Sequence, residues 1–328
     1  MNKNVGVVPL HDHAAHIFHK ISTAPMIDWS DRHYRHFMKL LNPHLTTYSE
    51  MIVDQAIIHG DREILLAKSE LDDDCILQIG GSDPTSMAHA AKWAEKFGYA
   101  GVNINVGCPS DRVQSGCFGA VLMRQPELVA QIFTQISEGI SLPVSIKCRL
   151  GVDEQNVMQT FPHFLETVTS AGCQHVVVHA RKAWLNGLSP KENRNIPPLD
   201  YALPAAMKDH YGPRLCIEIN GGISSLGEAA VHLQHFDRVM IGRMAYHNPF
   251  GLADRGVDRS QIVYQMLGYI DRHIKIGGRA HQVLRHMHGL YHNVAGARRW
   301  RQLLSASSAN YSYTAFKNFL DHQESLHV

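Results

Sequence analysis

This 328-residue sequence predicts an α/β fold, a (β/α)8 TIM barrel followed by a small C-terminal helical domain. Three observations carry that expectation. Eight short apolar runs recur between residues 22 and 243, helix-type patterns with start signals fall between them, and beyond about Ser260 only helical patterns remain. A doubly wound open sheet is the alternative. It is disfavoured because no Gly-x-Gly-x-x-Gly stands at a strand-to-helix turn.

In order, the runs are Ser22–Met26, Thr47–Met51, Cys75–Gly80, Gly101–Gly107, Val144–Leu150, His175–Arg181, Cys216–Gly222 and Arg238–Arg243. Each reads as a parallel strand buried on both faces. Helices are expected at Asp31–Leu41 after Ser30, at Thr85–Phe97 after Asp83-Pro84, at Glu127–Glu138 after Pro126, and at Leu226–Gln234 after Ser225. The second interval is short and polar, and its helix is the least marked. The helical tail divides into Gln261–Ile276, Ala280–Tyr291, Gly296–Leu304 and Tyr313–His322, with Gly277-Gly278 separating the first two. The expected organisation is a flexible N-terminal arm (1–20), a barrel (21–255) and a helical domain (256–328). The histidines at 11, 13, 16 and 19 have no cysteine or carboxylate cluster beside them, so they read as a solvated arm and no metal is expected.

A hydrophobic content of 45% with 19% charged residues excludes a disordered chain, and no apolar run has the length of a membrane-spanning helix. The N-terminus lacks a secretory h-region, and the six cysteines include no C-x-x-C pair. Free thiols and a cytoplasmic location are therefore expected. Net charge is only +1, yet residues 255–328 hold ten Lys and Arg against four Asp and Glu, a surplus of six, which leaves −5 on the remainder. A basic tail follows a mildly acidic body.

Strand ends in a barrel converge on one site, so their polar residues belong together. The fourth run leads into Gly107-Cys108-Pro109, a turn that holds a thiol at the strand's C-terminal edge. Around the same edge stand Pro25-Met26-Ile27, Gln78, Asn105, Lys147, His179, Asn220-Gly221-Gly222 and Gly242-Arg243. A Gly-Gly turn after strand seven and a Gly-Arg turn after strand eight are where barrels cradle a phosphate. Lys147 within an apolar strand is costly to bury unless it meets a negative charge, which a reduced flavin carries at N1 and O2. Gln78 and His179 have the donors and acceptors for a flavin edge or a substrate carbonyl.

These residues resemble the tRNA-dihydrouridine synthases, most closely their A-type branch. The resemblance rests on Ala24-Pro25-Met26 with Asp28-Trp29-Ser30-Asp31-Arg32, on Asn103 through Val113, Gly119 through Met123, His179 through Trp184, Leu188 through Arg194, Asn220 through Gly222, and Gly296 through Arg301. It runs from about residue 21 to at least Arg301. It implies an FMN enzyme that reduces uridines 20 and 20a of the tRNA D-loop to 5,6-dihydrouridine with NADPH. Carried onto this sequence, FMN would be held by Pro25, Met26, Ile27, Gln78, Lys147, His179, Asn220, Gly221, Gly222, Gly242 and Arg243. Cys108 would be the general acid, and Asn105, Lys191, Arg194, Arg298 and Arg301 would meet tRNA. No protein partner is implied, and a monomer is expected.

The implied chemistry suits the residues. The uracil C5=C6 bond is conjugated to the C4 carbonyl, so hydride enters C6 and a proton must then reach C5. A thiol, ordinarily near pKa ~8.5, is largely protonated at neutral pH and can give that proton. Nothing in the chain encodes a separate nicotinamide domain. An FMN barrel acting on a small molecule has no use for a basic helical tail, and a non-catalytic RNA-binding barrel has none for Cys108 or Lys147.

Overall fold

The computed structural model describes residues 17–110 and 116–325. Its centre is one sheet of eight parallel strands: β1 (Ile21–Thr23), β2 (Tyr48–Val53), β3 (Ile76–Gly80), β4 (Gly101–Val106), β5 (Val144–Arg149), β6 (His175–His179), β7 (Cys216–Asn220) and β8 (Arg238–Ile241). Neighbours run β1-β8-β7-β6-β5-β4-β3-β2. The ends meet just before β2, where Thr23 N–H donates to Thr46 O (2.9 Å) and Thr46 N–H to Ile21 O (3.1 Å), so the sheet is a closed barrel. Between the strands lie α1 (Arg32–Leu41), the short α2 (Asp54–His59) and α3 (Arg62–Leu65), α4 (Pro84–Lys96), α5 (Pro126–Gly139), α6 (Val157–Ser170), α7 (Ala202–Tyr211), α8 (Leu226–His232) and α9 (Arg243–His247). The tail adds α10 (Arg259–Lys275), α11 (Ala280–Leu284), α12 (Ala297–Ala309) and α13 (Tyr313–Ser325). No helix among the described residues is long and apolar enough to cross a membrane.

The strands are less uniformly apolar than expected. Leu77, Ile79, Val102, Ile104, Ile146, Cys148, Val176 and Val178 join the helices in one large core. The alternate positions face the barrel interior and are largely polar. Asn105 Nδ2 donates to Gln78 Oε1 (2.8 Å), Gln78 Nε2 to Asn103 Oδ1 (2.7 Å), and Asn103 Nδ2 to Ser145 Oγ (2.9 Å), a chain that ties β3 to β5 through their side chains. Toward the other end Glu218 is fully buried, accepting from Ser22 Oγ and facing His175 Nε2 at 2.9 Å. Burial opposes a charge on His175, but its hydrogen bonds with Cys216 and Glu218 push it up to about 10.

Several boundaries differ from the sequence reading. Phe18 is buried in the core, so the folded part begins before residue 20; residues 1–16 lie outside the described ones. Asp31, not Ser30, caps α1, accepting from the N–H groups of His33 (2.9 Å) and Tyr34 (3.0 Å). Ser30 instead bonds Met26 N and O and tightens the turn before it. Helices α6 and α7 went unmarked because Pro162 and Pro204 interrupt their patterns. The expected helix Ala280–Tyr291 stops at Leu284. Beyond it Gly289 lies against the His247 carbonyl, where a Cβ would stand 2.6 Å away, and Trp300 Nε1 takes the Met287 carbonyl at 2.8 Å. Both contacts require the chain to leave the helix and turn back toward the barrel mouth.

The tail is docked on α1. His36 stacks on Tyr269 with centroids 3.9 Å apart, and His33 Nδ1 lies 2.8 Å from the Tyr269 hydroxyl. Asp31 also receives Arg285 Nη2 at 2.6 Å and lies 3.0 Å from His286 Nε2. The first barrel loop and the tail therefore share one carboxylate.

Candidate active site

The C-terminal strand ends surround a cavity of about 660 Å³. Cys108 enters it because Asn105, last inward residue of β4, turns its Oδ1 to accept from Gly107 N (3.2 Å) and Cys108 N (3.0 Å). That side-chain clamp fixes the turn and leaves the thiol half-exposed, 3.5 Å from Ser110 Oγ. By contrast Cys75 and Cys173 are buried, and their thiols are pushed up to about 12 by desolvation. Residues 111–115, including the Asp111-Arg112-Val113 of the resemblance, lie outside the described residues.

Lys147 reaches the cavity from β5 and donates to Asn220 Oδ1 at 3.2 Å, while Asn220 Nδ2 holds the Met240 carbonyl at 2.8 Å. Burial, then the nearby Arg149, lowers the Lys147 ammonium to about 8. His179 is 8% exposed, and burial followed by Arg149 and Lys147 holds its ring neutral, well below the ordinary histidine range. After β7, Gly221 (φ +111°) and Gly222 (φ +73°) adopt positive φ, and a Cβ on Gly221 would stand 2.6 Å from His179 Cδ2. Glycine is required at Gly221 for space as well as φ. The Tyr201 hydroxyl donates to the Gly221 carbonyl.

Pro25, Met26, Ile27, Gln78 and Gly242 complete the lining on the other strands. Arg243 also lines it, with Nη1 donating to Asn195 Oδ1 (2.7 Å) and Nη2 to the Arg194 carbonyl (3.3 Å), so it crosses to the loop after β6. Of the five residues assigned to tRNA by resemblance, Asn105 and Arg194 lie in this cavity. Lys191 stands exposed beside it, and Arg298 and Arg301 are exposed on α12, whose opposite side buries Trp300 against Phe316 and Phe319. The structure thus brings fourteen of the seventeen named residues to one cavity and leaves three on the surface.

The lining residues to which the sequence assigned no role include Trp29, Arg149, His247 and His292. Trp29 stacks on Tyr246 at 4.2 Å, and His292 reaches the mouth from the tail. Only Arg149 had a readable signal, since it follows Lys147 by two residues on one strand and so shares its face.

Among the described lining residues stand four cations, Lys147, Arg149, Arg194 and Arg243, and no carboxylate. Such a cavity is costly to keep unless an anion occupies it. A phosphate-bearing planar ligand fits the charge, the glycine turns and the polar barrel floor, with a thiol alongside to donate a proton.

Comparison with known proteins agrees with that chemistry. The family profile "Dihydrouridine synthase (Dus)" matches residues 22–325. The chain is 48% identical over 297 residues to the tRNA-dihydrouridine(20/20a) synthase of Shewanella oneidensis, covering 88% of each. It is 46% identical over 312 residues to that of an Escherichia coli strain, covering 92% of this chain and 94% of the relative. Among solved structures, the old yellow enzyme homologue from Zymomonas mobilis superposes with a TM-score of 0.50 at 11% identity, over 70% of this chain and 86% of that one. A 2-naphthoyl-CoA reductase gives 0.51 at 12% identity, over 70% and 49%. Both are likenesses of fold.

Proposed function

The chain belongs to the dihydrouridine synthase family, and from that premise we propose that it reduces uridines 20 and 20a of the tRNA D-loop to 5,6-dihydrouridine, with FMN as cofactor and NADPH as reductant. The observation that carries the reading is a half-exposed Cys108 facing a cavity that has four cations and no carboxylate among its described lining residues. FMN, when bound, would supply the hydride that enters uracil C6.

The chain's residues do the rest. Arg243 and the Gly221-Gly222 backbone would hold the phosphate, and Pro25, Met26, Ile27 and Gly242 would line the cofactor. Gln78 has one amide hydrogen and one lone pair left after its bonds to Asn103 and Asn105, enough for a ring edge. Lys147 and the neutral His179 would face the negative end of the ring. Hydride addition leaves an enolate on the uracil, and the Cys108 thiol protonates it at C5. The target base must leave its stack to enter, which costs a few kcal/mol. Phosphate contacts by Lys191, Arg298 and Arg301 outside the cavity, and by Arg194 at its edge, would offset that cost. Asn105 would meet the flipped base from the cavity floor. The proposed organisation keeps residues 21–255 as the catalytic barrel and 256–328 as the tRNA-binding part, acting as a cytoplasmic monomer.

The test is a visible spectrum of the purified protein under anaerobic conditions. NADPH should bleach a bound flavin, and unmodified tRNA should restore its colour. The Cys108→Ala variant should bleach equally and recover about 10² to 10⁴ times more slowly. Recovery at the parent rate would remove Cys108 from the reaction, and a colourless protein that binds tRNA would reduce the reading to a binding barrel.

A further inference from the structure

Arg149 is 3% exposed, yet no carboxylate pairs with it among the described residues. Its donors go to three carbonyls on two separate loops. Nε donates to Gly107 O at 2.9 Å, the carbonyl directly before Cys108. Nη1 donates to Lys182 O at 3.2 Å and to Asn193 O at 3.1 Å, both in the loop after β6. Burial lowers the guanidinium to about 10, a cost the protein bears without an ion pair. Two hydrogens on Nη2 have no described partner, and the residue lines the cavity.

The loop reached by Nη1 is held from within by Asn193, which is fully buried. Its Nδ2 donates to Trp184 O (2.8 Å) and Leu188 O (3.0 Å), and its Oδ1 accepts from Trp184 N (2.7 Å). Asn193 therefore closes the segment 184–193 into a rigid unit carrying Lys191 and Arg194 at one end. Arg149 is the polar link from that unit to the Cys108 turn. The planar guanidinium spreads these three bonds over two nitrogens in fixed directions, a geometry that the single nitrogen of an ammonium at the same place does not reproduce.

We propose that Arg149 is a positioning residue that couples the loop bearing Lys191 and Arg194 to the Cys108 turn, so that engagement of the nucleic acid by the loop fixes where the thiol stands. The inference rests on the functional reading above for its meaning in catalysis, but the tether itself is a property of the protein alone. Displacing a reacting group by about 1 Å costs about 10² in rate, so the loss of this link should be felt chiefly in the protonation step.

Limited trypsin digestion and single-turnover reduction of tRNA test it together. Arg149→Gln should retain flavin, be cleaved after Lys182, Lys191 or Arg194 about tenfold faster than the parent, and reduce tRNA about 10²-fold more slowly. Arg149→Lys should behave likewise, recovering less than about tenfold, because its charge is kept and its geometry is not. Asn193→Ala should open the loop but leave the Gly107 bond, raising KM for tRNA more than it lowers kcat. Should Arg149→Gln fail to fold, the Lys and Asn193 variants carry the test. Parent-rate cleavage of the loop in these variants overturns the proposal, as does loss of flavin with an intact loop, which would make Arg149 a cofactor ligand. Proteolysis needs no tRNA: a loop that opens in a protein with no activity on tRNA refutes the functional reading and leaves the tether standing.

Discussion

Flavin affinity should fall about tenfold between pH 7 and pH 9, and Lys147 should be the cause. In the ligand-free protein burial holds this ammonium at about 8, against an ordinary value of 10.5. An anionic ligand beside it favours the charged form and raises it again. Binding therefore takes up no proton well below pH 8, where Lys147 is already charged, and takes up one above it. At pH 9 only about one molecule in ten is pre-protonated, which weakens binding by about 1.4 kcal/mol. Full restoration to the ordinary value sets a ceiling of about 300-fold at higher pH. Folding stability of the ligand-free protein runs the other way. Its unfolded chain holds the Lys147 proton more tightly, so stability from this group is lowest below pH 8 and rises as pH climbs toward 10.5. The assay is quenching of FMN fluorescence when flavin-free protein is titrated with FMN at each pH. Lys147→Met should bind with little dependence on pH over this range. Equal pH slopes in parent and Lys147→Met would refute the reasoning, because the proton would then belong to another group.

Three further outcomes are expected. Arg243→Ala should lose FMN on dialysis that the parent survives, weakening binding by about 10- to 100-fold as a charge-assisted contact predicts; firm retention, read from the flavin-to-protein absorbance ratio, would remove Arg243 from phosphate binding. Arg298→Ala combined with Arg301→Ala should raise KM for tRNA, spare NADPH oxidation, and flatten the slope of log K against log salt by about one or two; an unchanged slope would place the tRNA surface elsewhere. Asp31→Ala should cost about 2 to 4 kcal/mol in denaturant unfolding, about 1 from the helix cap and the rest from Arg285 and His286, with Asp31→Asn keeping the cap. Although burial opposes its charge, hydrogen bonding to His286 and the Tyr34 N–H help hold Asp31 well below the usual carboxylate range. Its contribution is therefore present above pH ~4 and lost as pH falls through the depressed value, which an acid titration of stability reads directly.

The barrel was legible in the sequence because each strand needs one apolar face for the surrounding helices, and that demand is local. Val102, Ile104 and Val106 announce β4 by themselves, and glycine at 221 and 222 marks a turn whose backbone must approach closely. Cys108 was legible for the same reason, since a Gly-Cys-Pro turn at a strand end is written in consecutive residues. What only the tertiary structure decided lies between segments. Its spacing from Lys147 puts Arg149 on the cavity face of β5, but its meaning comes from carbonyls 42, 33 and 44 residues away. Asp31 looks like a helix cap until Arg285 and His286 arrive across more than 250 residues. His292 belongs to the tail by sequence and to the cavity by position, because the chain past α11 turns back at Gly289. Strands and turns are specified by neighbouring residues, whereas hydrogen bonds between loops depend on distances that exist only once the barrel has closed.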